Sequence, residues 1–155
     1  MENSNHFNVI VIGAGISGIG AGYYLKKNCP NKSFCIIEGR ENIGGTWDLF
    51  KYPGIRSDSD MFTLGYAFKP WKEQKTIANG PSILSYLEET VEENNLREKI
   101  KFSHKVLSAN WNSAERNWEV RAAHHEQEIL LTANFLFMGT GYYNYDEGYL
   151  SLIHI

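Results

Sequence analysis

The apolar positions of the chain follow two rhythms, and the switches between them mark out its elements. Residues 8–12, NVIVI, form a short, mostly β-branched run that stops at glycine. That is the pattern of a strand buried on both faces in a parallel sheet. From Ile16 to about Lys27 the spacing becomes helical, with Ile16, Ile19, Tyr23 and Tyr24 as the larger apolar positions. The small residues Gly18, Ala21 and Gly22 between them suit close packing onto a sheet. Residues 33–38, SFCIIE, return to a strand and end in a carboxylate. Strand, helix and strand in about thirty residues make one βαβ unit, whose crossover is nearly always right-handed.

Residues 39–80 keep neither rhythm and are rich in Gly, Pro, Asp and aromatic side chains. A compact domain rarely leaves so long a stretch irregular unless it has a use. A helix is expected to begin near Pro81, a residue suited to the first helical turn. Ile83, Leu84, Leu87 and Val91 make its apolar stripe, and Glu88, Glu89, Glu92 and Glu93 its solvated face. Three segments follow with partial two-residue alternation: residues 99–112, 117–123 and 127–133. The turn-prone strings NSAERN and HHEQ separate them, which predicts an antiparallel meander. Residues 134–141, NFLFMGTG, are expected to form one more buried strand, stopped by Gly139-Thr140-Gly141. The fold class is therefore α/β, a parallel sheet with an antiparallel meander.

Composition narrows the function classes. The 155 residues fit one domain, and a net charge of −3 with mixed signs offers no basic field for nucleic acid. Cys29 and Cys35 match no zinc spacing, and they are expected as reduced, partly buried thiols of a cytoplasmic protein. His124 and His125 lie in a meander turn without an evident third ligand, so no metal site is expected. The uncharged run from Phe7 to Leu25 approaches membrane-spanning length, but five glycines interrupt it. It reads as strand, turn and helix, with no transmembrane segment. The final residues 150–155, LSLIHI, read as the translated end of a sequencing-library adapter, and the natural chain is expected to continue past Tyr149. Residues 1–149 are thus taken as the natural portion.

The first chemistry lies at Gly13-Ala14-Gly15-Ile16-Ser17-Gly18, a GxGxxG string between a predicted strand and a predicted helix. Glu38 follows Gly18 at the spacing of a dinucleotide-binding unit. In such a unit the first glycine permits the tight turn and the second lets the backbone approach a pyrophosphate. The third lets helix meet strand, and the helix N-terminus favours the anion. Glu38 suits two ribose hydroxyls and repels a 2′-phosphate, which leaves both NAD and FAD open for this loop. Downstream, Gly44 and Gly45 bare the backbone, Trp47 offers a flat face, and Pro53-Gly54 fixes a turn that delivers Asp58.

GAGISG, Glu38, GGTW and YPGIRSD together resemble the FAD-binding start of the Baeyer–Villiger and related flavin-containing monooxygenases. The likeness runs from about Phe7 to Tyr149, and GGTW followed by YPGxxxD is its most specific part. It implies a Rossmann-like, glutathione-reductase-like FAD-binding domain, here incomplete. It also implies FAD and NADPH as cofactors, with O2 and a ketone, amine or sulfide as substrates. In the implied cycle NADPH reduces the flavin, and a C4a-peroxyflavin transfers one oxygen atom. The cofactor-binding positions carried over are Gly13 to Gly18, Glu38, Gly45, Thr46, Trp47, Val106 at the adenine, and Thr140 and Gly141. Asp58 is carried over as the catalytic acid near the flavin, paired with an arginine from a later part of the chain. Asp60 is either a second acid or a turn residue. Leu64 departs from the aromatic that well-known members carry six residues after the aspartate. Two other readings stand beside this one: a dehydrogenase that inserts no oxygen, and a fragment without catalysis of its own.

Overall fold

The structure, a computed structural model, describes residues 5–142. The expected tail at 150–155 lies outside the described residues. Strand β1 (His6–Ile12) sits within a six-stranded sheet and pairs in parallel with β2 (Phe34–Ile37), Val9 opposite Phe34 and Ile12 opposite Ile37. Helix α1 (Ile16–Asn28) makes the crossover between them. It buries Gly18, Ile19, Gly20 and Gly22 rather than a stripe of large side chains. The reason is proximity: a Cβ at Gly18 would overlap the Gly13 carbonyl, so the helix start lies directly on the loop that precedes it. Tyr23 is half-buried and Tyr24 exposed, so only part of the expected apolar stripe faces inward.

The stretch from 39 to 79 holds two single-turn helices, α2 (Thr46–Leu49) and α3 (Met61–Leu64). Aromatic stacking fixes much of it. Phe68 stacks between Tyr23 at 3.5 Å and Tyr66 at 4.7 Å, and Tyr66 stacks on Tyr86 at 5.7 Å. The phenols complete the attachment: Tyr66 donates to the Ile16 carbonyl at 2.6 Å, and Tyr86 donates to the Lys69 carbonyl at 2.6 Å. Burial pushes the Tyr66 phenol above its ordinary pKa, so it stays a donor. Helix α4 (Gly80–Glu93) begins as predicted, with Pro81 in its first turn and the Asn79 side chain accepting from the Ser82 N–H at 2.8 Å. Ile83, Leu87 and Val91 are fully buried, joined by Tyr86 and Thr90, while Leu84 is only half-buried.

Two expectations for the second half are corrected. Residues 100–101 do not open the meander: β3 (Ile100–Lys101) pairs in parallel with β2, and β4 (His104–Asn112) starts only after a turn. The two strands expected at 127–133 and 134–141 are one, β6 (Gln127–Met138). Its first half pairs antiparallel with β5 (Asn117–His124), itself antiparallel to β4, and its second half pairs in parallel with β1. No glycine or proline interrupts the sequence between Gln127 and Met138, so the strand passes from meander to parallel sheet without a turn.

The sheet thereby carries two cores. Val11, Phe34 and Ile36 pack with Ile19, Ile83 and Leu87 on the helix side. Ile10, Ile12, Cys35 and Ile37 pack with Val120, Leu131 and Val106 on the face that the meander covers. Each large aliphatic side chain so enclosed contributes about 1.5–3 kcal/mol. Cys35 is buried and its thiol is pushed up to about 12, whereas Cys29 is exposed, which corrects the expectation of two partly buried thiols. Among the described residues no helix is long and apolar enough to cross a membrane.

Candidate dinucleotide-binding site

A groove of about 570 Å³ opens where β1, β2 and β6 end, with β4 as its far wall. It lies at the carboxyl ends of parallel strands, where open α/β sheets take their ligands. Backbone bonds hold its rim. Gly13 N–H donates to Ile37 O at 2.7 Å, Gly139 N–H to Ile12 O at 2.8 Å, and Gly44 N–H to Ala14 O at 3.0 Å. These bonds tie the glycine loop to the end of β2 and to the GGTW turn, and the end of β6 to the end of β1.

Six of the expected cofactor residues line this groove: Gly13, Gly15, Glu38, Gly45, Val106 and Thr140. Gly15 caps α1 without any side-chain bond, so helix geometry leaves the first-turn N–H groups without intrahelical partners. Gly15 and Gly45 face each other closely: a Cβ on Gly15 would stand 3.5 Å from Gly45 Cα and narrow the gap between the two turns. That bare cradle at a helix N-terminus fits a pyrophosphate.

Glu38 is buried, and its position follows from the loop. Oε2 accepts the Ala14 N–H at 2.8 Å, and Oε1 accepts the Arg40 N–H at 3.0 Å. An ionised carboxylate has about four lone-pair sites, so two remain for hydroxyl donors. Such a surplus fits a ribose.

Other expected residues are placed elsewhere. Ala14 belongs to the helix-side core, and Gly18 packs on Gly13. Ile16 and Ser17 line a separate, largely apolar cavity of about 730 Å³ with Tyr24, Tyr66 and Phe137. Thr46 opens α2, and Trp47 is half-buried against the helix-side core. Gly141 follows the end of β6 with a φ of 72°. Asp58 is exposed after the Pro53-Gly54 turn, and its Oδ1 stands 3.5 Å from the Ser59 hydroxyl. It does not line the groove.

Asp60 resolves as the cap of α3. Its Oδ1 accepts the Phe62 and Thr63 N–H groups at 2.9 and 3.0 Å. The Thr63 backbone bond, followed by the Thr63 hydroxyl, holds its pKa below the ordinary carboxylate value.

The groove also contains residues not anticipated from the sequence, among them Arg40, His104 and Lys105. His104 stacks on His124 at 4.1 Å, and burial holds its pKa below the ordinary histidine value. His104 thus joins His124 and His125 through space, yet among the described residues no group of three or more side chains is arranged to hold a metal. Arg40 carried a signal that went unread, a cation two positions after the predicted ribose acid.

The parallel strands and their crossover helix make a Rossmann-like fold, and residues 11–73 match the family of NAD(P)-binding Rossmann-like domains. Known proteins then bear out the narrower resemblance. The chain is 53% identical over 146 residues to the FAD-containing monooxygenase EthA of Mycolicibacterium smegmatis, covering 94% of this chain and 30% of that protein. It is 53% identical over 143 residues to the probable FAD-binding monooxygenase AlmA of an Acinetobacter species, covering 92% of this chain and 29% of the relative. An oxidized steroid monooxygenase bound to NADP superposes with a TM-score of 0.79 at 30% identity, over 88% of this chain and 26% of that one. The open crystal structure of cyclohexanone monooxygenase does so with a TM-score of 0.79 at 29% identity, over 88% and 27%. The chain therefore spans about 30% of the length of the curated relatives it matches.

Proposed function

We propose that this chain forms the FAD-binding portion, residues 1–149, of an NADPH-dependent flavoprotein monooxygenase that transfers one oxygen atom from O2 to a ketone, amine or sulfide. The observation that carries the reading is the convergence of the glycine loop, Glu38 and the bare Gly45 turn on one groove. When bound, the flavin supplies the redox and oxygen chemistry.

The chain's own residues bind and orient. The Gly13–Gly18 backbone and the start of α1 receive the pyrophosphate, with Ala14, Ile16 and Ser17 setting the loop's shape. Glu38 accepts from the ribose hydroxyls while it holds the Ala14 and Arg40 N–H groups. Val106 offers its backbone to the adenine from β4, and Gly45, Thr46 and Trp47 shape the wall leading toward the flavin. Thr140 and Gly141 close the opposite side. Asp58 stands as the acid toward the flavin and nicotinamide: its rigid turn and exposed carboxylate leave it able to take an arginine partner. The small-molecule substrates and the cytoplasmic location belong to the same reading.

A second reading, a dinucleotide-dependent dehydrogenase without oxygen insertion, is favoured by the match of residues 11–73 to NAD(P)-binding domains. The full-length protein separates the two. Purified yellow and supplied with NADPH, air and a cyclic ketone, it is expected to consume O2 and form a lactone. NADPH oxidation that proceeds equally without O2 and yields no oxygenated product would favour the dehydrogenase.

A further inference from the structure

Glu38 and Arg40 line a groove that, on the reading above, receives a doubly charged pyrophosphate, and Asp48 follows the groove-lining Gly45 in the next turn. Arg40 lies between the two carboxylates. Its Nη1 donates to Asp48 Oδ2 at 3.0 Å, its Nη2 to the Gly45 carbonyl at 2.9 Å, and its Nε stands 3.6 Å from Glu38 Oε1. Its own N–H also donates to Glu38 Oε1. The side chains are largely enclosed, with relative exposures of 28% for Arg40, 9% for Glu38 and 13% for Asp48. The guanidinium therefore joins the end of β2 to the GGTW turn across the rim of the groove.

We propose that Arg40 is a positioning residue for adenosine recognition, holding Glu38 in its ribose-accepting orientation. This rests on the FAD-binding reading. Two physical arguments carry it. Removing the cation would take away the guanidinium that stands 3.6 Å from Glu38 and 3.0 Å from Asp48, whose other cation, Lys51, is 3.9 Å away. Negative charge less well compensated beside an incoming phosphate anion is costly in an enclosed site. The planar fork of arginine also spreads its donors over three nitrogens in a fixed geometry that reaches Glu38, Gly45 and Asp48, whereas lysine gathers its donors on one rotatable ammonium. Residues that orient a binding group typically change affinity about 10–100-fold when removed, a scale set by outer-shell partners in metal sites.

The test uses the full-length protein stripped of flavin and titrated with FAD and, separately, with FMN, which lacks the adenosine half. Arg40→Met is expected to weaken FAD about 10–100-fold, to leave FMN affinity unchanged, and so to collapse the preference between them. Arg40→Lys is expected to restore part of that preference. Glu38→Gln is expected to cost less in the Arg40→Met background than alone, because the two residues act on the same ribose. Equal weakening of FAD and FMN would reduce Arg40 to a structural clamp and overturn the proposal, as would unchanged FAD affinity. If Arg40→Met does not fold, the FAD-to-FMN ratio of Arg40→Lys decides, an unchanged ratio counting against the role. Wild-type protein that binds no FAD at all would instead strike down the underlying reading, and this inference with it.

Discussion

Gly18 touches the Gly13 carbonyl so closely that no larger residue fits between α1 and the loop before it. Gly18→Ala forces backbone apart rather than moving a flexible side chain. It is expected to cost about 3 kcal/mol, at the upper end for overpacking, seen as a lower melting temperature and reduced soluble yield. The two cysteines behave oppositely at this scale. Cys29 is exposed, and Cys35 is buried with its thiol pushed up to about 12. Peptide mapping after brief iodoacetamide treatment at mild alkaline pH is expected to find Cys29 alkylated and Cys35 unmodified, because the thiolate is the reacting form. For Cys35 the folded pKa lies above the unfolded one. Its contribution to stability is complete below the ordinary thiol value and declines as pH rises toward about 12. Equal labelling of both thiols in folded protein would contradict the buried position of β2. The placement of Glu38 beside the glycine loop was legible one residue at a time, because it depends on spacing along the chain. Arg40 was not, since Glu38, Gly45 and Asp48 meet around it only after the chain has turned at Gly44 and Gly45.

At the scale of elements, local rhythm identified β1, α1 and α4 closely; α4 was expected to begin near Pro81 and begins at Gly80, behind a cap at Asn79 that the rhythm did not reveal. It misjudged β6, since alternation along a strand does not reveal that its pairing partner changes halfway. It also gave β3 to the meander, because two residues are too few to carry a period. The irregular stretch before α4 is held by contacts that no local pattern encodes. Tyr66 is the clearest case, tying that stretch to the first turn of α1 through its bond to the Ile16 carbonyl. Tyr66→Phe keeps the ring stacking on Phe68 and Tyr86 but leaves that carbonyl without its donor. A loss of about 1 kcal/mol is expected, together with faster hydrogen exchange around residues 60–70 than in α4. Unchanged exchange there would mean that stacking alone holds the stretch.

For the whole molecule, the sheet's two cores place the ends of β1, β2 and β6 beneath β4, and this sets the groove where the sequence motifs converge. That the glycine loop and Glu38 would meet at one groove could be read from a single βαβ unit. The more specific GGTW and YPGIRSD strings pointed to a flavin-related family, but not to where their side chains sit. Gly45 lines the groove, Trp47 turns to the helix-side core, and Asp58 stands outside on its turn. The central claim is that the adenosine diphosphate half of FAD lies in this groove. A crystal structure of the full-length protein with FAD tests it most directly. The account predicts the pyrophosphate against Gly13–Gly15 and Gly45, the ribose on Glu38 and the adenine beside Val106. A flavin dinucleotide bound elsewhere, with Glu38 touching only backbone N–H groups, would contradict it.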